Sequence, residues 1–188
     1  MSDKHTVRII GGKYKGKLLK VRSAEGLRPT PDRVRETVFT WLQNNIEGAQ
    51  VLDLFAGSGA LGFEALSRGA ACVTLVELNA ENAELLRSQA QSFEDKAKVN
   101  IIRDDALNYL SACHHSFDIV FLDPPYKANL LKPALELLLK NDLISDSTLL
   151  YVEMNSGDNE AIAGYEKIRE QVAGQAKYSL WKKSSFLF

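Results

Sequence analysis

Asp123-Pro124-Pro125-Tyr126 combines an anionic acceptor, a stiff backbone and an aromatic face at the end of an apolar run. Proline fixes φ, so the carbonyl of Pro124 is held in one direction. A carboxylate and a carbonyl so placed can each accept one N–H of a planar amino group. Such an amine is a poor nucleophile because its lone pair is delocalised. Two acceptors bias the nitrogen towards tetrahedral geometry and aim the lone pair outwards. Tyr126 offers a ring on which a base can stack, worth roughly 1–3 kcal/mol. Charge-assisted hydrogen bonds contribute roughly 1.5–3 kcal/mol each, whereas alignment of two bound reactants supplies up to about 7–11 kcal/mol. The chemistry that suits the tetrapeptide is alkylation of an amine, with orientation outweighing base catalysis. Taken alone, the tetrapeptide is better read as an ordinary Pro-Pro turn after a strand; the functional reading rests on its company.

A second group of residues supplies the other reactant. Gly57-Ser58-Gly59-Ala60-Leu61-Gly62 has G-x-G-x-x-G spacing, follows an apolar strand and opens a helix. Glycines there let the chain turn sharply and approach a ligand closely. Glu77 lies twenty residues past Gly57, at the end of the next strand, where a carboxylate accepts from ribose hydroxyls. The pattern is common to dinucleotide and S-adenosylmethionine (SAM) sites. Asp53, inside the strand end, favours SAM, because it can order the loop and faces the side where a sulfonium and an amino group would lie. No segment offers a nicotinamide site. Asp105 ends a third strand and reads either as an adenine contact or as a helix N-cap.

The elements that must position these residues are legible as apolar runs. From residue 51 the chain alternates strand, turn and helix: strands at 51–55, 72–77, 99–104, 117–123 and 148–153; helices at 59–68, 79–93, 107–112 and 130–141. Runs without clean alternation indicate strands covered on both faces, hence a parallel sheet in an α/β layer fold. Residues 167–172 and 176–182 form a terminal antiparallel hairpin around Gly174. Residues 7–21 read as a basic β-hairpin interrupted by Gly11-Gly12 and Gly16. In the first helix, Thr30 is expected as N-cap and Pro31 as the first helical residue, with Val34, Val38, Trp41, Leu42 and Ile46 on one stripe.

Charge adds a partner. Residues 1–35 hold ten Lys or Arg against three Asp or Glu, a balance of +7, so the remainder carries −8 within a total of −1. A basic arm on an acidic body suggests either a phosphate-bearing partner or simply a solvated charged surface. With 45% hydrophobic residues, 188 residues suffice for a sizeable core. No run of about 18 apolar residues predicts a membrane span, and residues 1–5 do not read as a signal peptide. Cys72 and Cys113 lack metal-type spacing and are expected as free thiols in a cytoplasmic, reducing compartment. His114 and His115 have no partner at ligand spacing, so no metal is expected. Trp41 and Trp181 read as packing residues.

Asp53-Leu54-Phe55-Ala56-Gly57-Ser58-Gly59 and Asp123-Pro124-Pro125-Tyr126 resemble the cofactor and catalytic motifs of Rossmann-like amino-methyltransferases. More narrowly, Arg8-Ile9-Ile10-Gly11-Gly12-Lys13-Tyr14-Lys15-Gly16-Lys17 and Leu27-Arg28-Pro29-Thr30-Pro31-Asp32-Arg33-Val34-Arg35-Glu36 resemble the RsmD family, bacterial enzymes that methylate N2 of a guanine in small-subunit (16S) ribosomal RNA. The resemblance runs over nearly the whole chain. It implies an α/β, Rossmann-like class I SAM-dependent methyltransferase fold: a mostly parallel seven-stranded sheet with a C-terminal antiparallel hairpin. The methyltransferase domain would span 28–188, with a basic β-hairpin extension over 1–27 contacting RNA.

Residue by residue, the resemblance implies that Thr30 and Arg35 close over the methionine end of SAM and that Gly57 and Gly59 pack under it. Phe55 and Ala56 of the same loop, Leu78 beside Glu77, and Asp53 complete the cofactor surface. Glu77 would hold the ribose, and Asp105 with Ala106 the adenine, although Asp104 stands where a small residue is common in the family. Asp123 would face both cofactor and guanine, with Pro124, Pro125 and Tyr126 holding the base. Arg8, Lys13, Lys15, Lys17 and Arg22 would grip phosphates. The implied partner is ribosomal RNA, within a small-subunit assembly particle, and the chain is expected as a monomer. Methylation of a DNA adenine or a protein glutamine is the alternative with the same motif logic. An NAD-linked oxidoreductase is the more distant one.

Overall fold

Two short strands, β1 (Thr6–Arg8) and β2 (Leu18–Lys20), pair antiparallel ahead of the first helix, α1 (Asp32–Trp41). The chain then alternates through β3 (Gln50–Asp53), α2 (Ala60–Ser67), β4 (Cys72–Glu77), α3 (Ala80–Ala90), β5 (Val99–Arg103), α4 (Ala106–Ala112), β6 (Phe117–Leu122), α5 (Leu131–Lys140) and β7 (Ile144–Asn155). It ends in the hairpin β8 (Tyr165–Ala173) and β9 (Ala176–Lys183). This computed structural model describes residues 6–22, 30–125, 128–159 and 161–184. The seven-stranded sheet has the order β5-β4-β3-β6-β7-β9-β8, parallel except where β9 pairs with β7 and β8. This is the expected Rossmann-like arrangement with its antiparallel terminal hairpin.

Period-two alternation divides the core between the two faces. Val51, Ile119, Phe121, Leu149 and Tyr151 pack with side chains of α1, α2 and α3. Leu52, Val120, Leu122, Leu150 and Val152 pack with those of α4 and α5. The strand order reverses between β3 and β6, which opens a crevice at their carboxyl ends. Asp53, Glu77 and Asp123 all lie at that edge.

Three expectations shift in detail. The N-cap of α1 is Pro31, with no side-chain cap; its carbonyl accepts from Val34 and Arg35. Thr30 lies one residue ahead of that cap. Its carbonyl accepts instead from Arg35 Nε (3.3 Å). The buried face of α1 includes Arg35 and Phe39, whereas Trp41 is half-buried and stacks on Tyr178. β7 is twelve residues long, twice the apolar run, because its polar first turn joins β6 through a register irregularity where Thr148 Oγ1 donates to the Phe117 carbonyl (2.7 Å). Among the described residues no helix is long and apolar enough to cross a membrane, and both cysteines are free thiols.

Candidate active site

The glycine loop is held by carboxylates. The Gly57 N–H donates to Glu77 Oε2 and the Asn79 N–H to Glu77 Oε1, each at 2.8 Å. The Gly62 N–H donates to Asp53 Oδ2 at 3.0 Å. Gly59 is the N-cap of α2 at φ +75°, and a Cβ there would stand 2.6 Å from Leu86 Cδ2, so any side chain at this position is strained. Phe55 is half-buried, and Ala56 donates its N–H to the Val76 carbonyl (2.9 Å), which ties the loop to β4. Beyond Glu77, Leu78 is 68% exposed, an apolar platform beside the loop. Asp105 caps α4: its Oδ1 accepts from Leu107 (2.9 Å) and Asn108 (3.2 Å), while Asp104 accepts from the Asp105 N–H (2.8 Å). The cap reading of Asp105 is therefore realised. Ala106 is buried behind it.

The acids raise one another's proton affinity. Asp53 is 2% exposed. Burial pushes its carboxyl up to about 7, opposed by the Gly62 N–H and reinforced by the charge of Glu77. Burial also pushes Asp123 well above the usual carboxylate range, helped by the charges of Glu153 and Asp53. Glu153 follows the apolar part of β7, and its Oε2 accepts from the hydroxyl of buried Tyr151 (3.0 Å). Burial and the charges of Glu153 and Asp123 hold the Tyr151 phenol in its neutral form. Pro125 is exposed and its carbonyl accepts from Ala128 (2.9 Å); no described residue donates to the Pro124 carbonyl. A cavity of about 620 Å³ opens beside Pro124 and Pro125, with Glu153, Met154 and Asn129 also lining it. Tyr126 lies outside the described residues.

Arg35 has protein partners on every side. Fully buried, it donates to Asp32 Oδ1 (2.6 Å), the Arg8 carbonyl (2.8 Å), Glu64 Oε2 (3.4 Å) and the Thr30 carbonyl (3.3 Å). Every one of these partners is a protein group, so the guanidinium is taken up inside the fold. Glu64, also fully buried, accepts from the Ile10 and Gly11 N–H groups (2.8 Å each) and from Arg68 Nε (2.7 Å). The basic ribbon is thereby bound to α2, and its Ile9 and Leu19 join the main core.

The ribbon's cations are mostly paired. Arg8 meets Asp32 (3.5 Å), Arg22 meets Glu81 (2.5 Å), and Lys13 meets both Glu94 and Asp95 (2.9 Å each). Lys17 donates to the Ser92 carbonyl (2.9 Å) over the Phe93 ring. Lys15 is exposed. His114 and His115 are exposed, and no group of described residues could hold a metal.

The family model described as "Conserved hypothetical protein 95" matches residues 7–182. The chain is 43% identical over 182 residues to "Ribosomal RNA small subunit methyltransferase D" of Escherichia coli (strain K12), across 95% of this chain and 91% of the relative. The chain belongs to the RsmD family. A Haemophilus influenzae relative of the same name is 40% identical over 184 residues, 95% of each chain. The solved structure of the Escherichia coli protein yhhF superposes with a TM-score of 0.87 at 40% identity, over 97% of this chain and 100% of that one. As an RsmD-family protein the chain is a methyltransferase, and the crevice at the β3/β6 switch is its candidate active site.

Sequence reasoning for this RsmD-family enzyme missed Glu153, Tyr151 and Glu64. Tyr151-Val152-Glu153 carried a usable signal: a carboxylate two residues past a ring, on the same strand face and at the same sheet edge as Asp123. Glu64 carried none, because its partners lie up to 54 residues away in sequence.

Proposed function

We propose that the enzyme transfers a methyl group from SAM to the exocyclic N2 of a guanine in small-subunit ribosomal RNA. The observation that carries the cofactor is the pairing of the loop amides. In dinucleotide sites such N–H groups face a pyrophosphate. Here those of Gly57 and Gly62 are taken by the carboxyl groups of Glu77 and Asp53, so they are not offered to a pyrophosphate, and Asp53 can ionise beside a bound cation. The remaining residues fit SAM as well: Glu77 for the ribose, Leu78 and Asp105 for the adenine, Asp53 near the amino acid moiety, with Thr30 held by Arg35 at its rim. When bound, SAM supplies an activated methyl on a good leaving group, so no metal is needed.

The chain's own residues orient the amine. Asp123 and the Pro124 carbonyl accept the two N2 hydrogens, and the base lies in the cavity beside Pro125. The neighbouring carboxylates and burial raise the proton affinity of Asp123, which suits a group receiving the proton that N2 releases. Alignment remains the larger contribution. A guanine in folded RNA must leave its stack to enter the cavity. The ribosomal substrate is supported by the names of the relatives, and the small-subunit particle and a cytoplasmic setting go with it.

Mass mapping of ribosomal RNA from cells with and without the gene tests this. One guanine N2-methyl should disappear with the gene, return with the wild type and fail to return with Asp123→Ala, whose SAM affinity stays within about tenfold. An unchanged methylation map, or normal turnover by Asp123→Ala, would overturn the reading.

A further inference from the structure

Asp123 has a neighbour that amine orientation does not require. β6 and β7 run parallel with Leu122 opposite Val152, so Asp123 and Glu153 are the next pair along, on the face that carries Phe121 and Tyr151. Glu153 is 9% exposed, yet it lines the cavity beside Pro124 and Pro125. The Tyr151 hydroxyl, itself buried, donates to its Oε2 and sets the plane of the carboxylate. A base whose amine is held at Asp123 therefore presents the adjoining atom of its Watson–Crick edge to a second, fixed carboxylate.

The nucleobases differ at that atom. The amine of guanine is flanked by N1–H, a donor. The amine of adenine is flanked by N1, and that of cytosine by N3; both are bare lone pairs. A carboxylate accepts from the first and repels the other two. Resting on the guanine reading above, we propose that Glu153 accepts the N1–H of the target guanine and so selects guanine over adenine and cytosine, with Tyr151 as its positioning residue. A pocket built to hydrogen-bond one group discriminates strongly against the analogue lacking it, because its own polar atom is left unpaired.

The test uses 2-aminopurine, which keeps the 2-amino group but has a lone pair at N1. RNA carrying guanine or 2-aminopurine at the mapped acceptor position is assembled into small-subunit particles and methylated by the full-length enzyme. The wild type should prefer guanine by about 100-fold or more in kcat/KM. Glu153→Gln, whose amide can donate to a bare N1, should lose about 100-fold on guanine and bring the preference within about tenfold. Tyr151→Phe should fall between them, with SAM affinity unchanged in both variants. A preference that stays intact in Glu153→Gln, whether at full rate or with equal loss on both bases, overturns the proposal and leaves Glu153 a structural residue. A wild type that methylates no guanine at all overturns the proposed function, and this selection with it.

Discussion

Asp53 holds a proton near neutrality for a physical reason, and that reason has a sign. Burial raises its folded pKa to about 7, against about 3.9 for an unperturbed aspartate. The folded state thus binds a proton that the unfolded chain has released at intermediate pH. Stability from this group is full below about pH 4 and is lost as pH rises through about 7, by something on the order of 4 kcal/mol. Asp123 is shifted in the same direction and adds to the slope. Asp53→Asn keeps an oxygen for the Gly62 N–H but has nothing to titrate. Thermal unfolding should therefore show the wild type losing stability from pH 5 to 8 more steeply than Asp53→Asn, with the variant the more stable at pH 8. A cationic ligand favours the ionised carboxylate, so SAM should bind the wild type more tightly at pH 8 than at pH 6. In Asp53→Asn that dependence should be reduced. Parallel stability profiles in the two proteins would show that Asp53 is already ionised in the free enzyme.

At the scale of elements, the edge that carries the candidate active site was legible because each acid there ends an apolar run. Asp53 and Glu77 are the last residues of β3 and β4, and Asp123 directly follows β6; a strand of four to six residues with an apolar centre places the residue at its end at the sheet edge. The terminal hairpin was legible from Gly174, whose φ of +62° is the turn. Glu153 likewise ends the apolar run at 148–153, but β7 continues to Asn155, so Glu153 stands inside the strand rather than at its end. The mounting of the ribbon could not be read at all: Glu64 sits in a helix that is buried on every side, and periodicity says nothing about a polar partner from a distant segment. Gly12 belongs to the same mounting, since a Cβ there would lie 1.9 Å from the Ser67 carbonyl oxygen. Breaking one partner out of a buried ion pair costs about 3–5 kcal/mol. Glu64→Gln should accordingly lower thermal stability by that order and accelerate hydrogen exchange at the Ile10 and Gly11 amides, which it binds directly. Protected ribbon amides in a destabilised variant would mean that the Ile9 and Leu19 packing, not Glu64, fastens the ribbon.

Over the whole molecule the charge is segregated: +7 in residues 1–35 and −8 in the rest. The acidic part includes the crevice that suits a cation, and the basic part includes the ribbon bound beside it through Glu64. An RNA that lays its backbone on the ribbon keeps its phosphates away from Asp53, Glu77 and Asp123 and sends only a neutral base towards them. The ribbon's lysines are unequal in this. The carboxylates of Glu94 and Asp95 raise the proton affinity of Lys13 and already neutralise it locally, so a phosphate there competes with two acids. Lys17 rests on a carbonyl and an aromatic ring, and Lys15 is exposed to solvent. Each phosphate contact contributes about 0.7–0.9 to the slope of log affinity against log salt. Lys15→Ala alone should therefore flatten that slope by close to one such increment. Changing Lys13, Lys15 and Lys17 together should flatten it by no more than about 2–3. Lys13→Ala should weaken binding most at low salt, where the exposed pair of acids repels the backbone furthest. Filter binding of a ribosomal RNA fragment between about 50 and 200 mM salt gives all three numbers. An unchanged slope in the triple variant would make the ribbon a structural strap and move the RNA surface elsewhere.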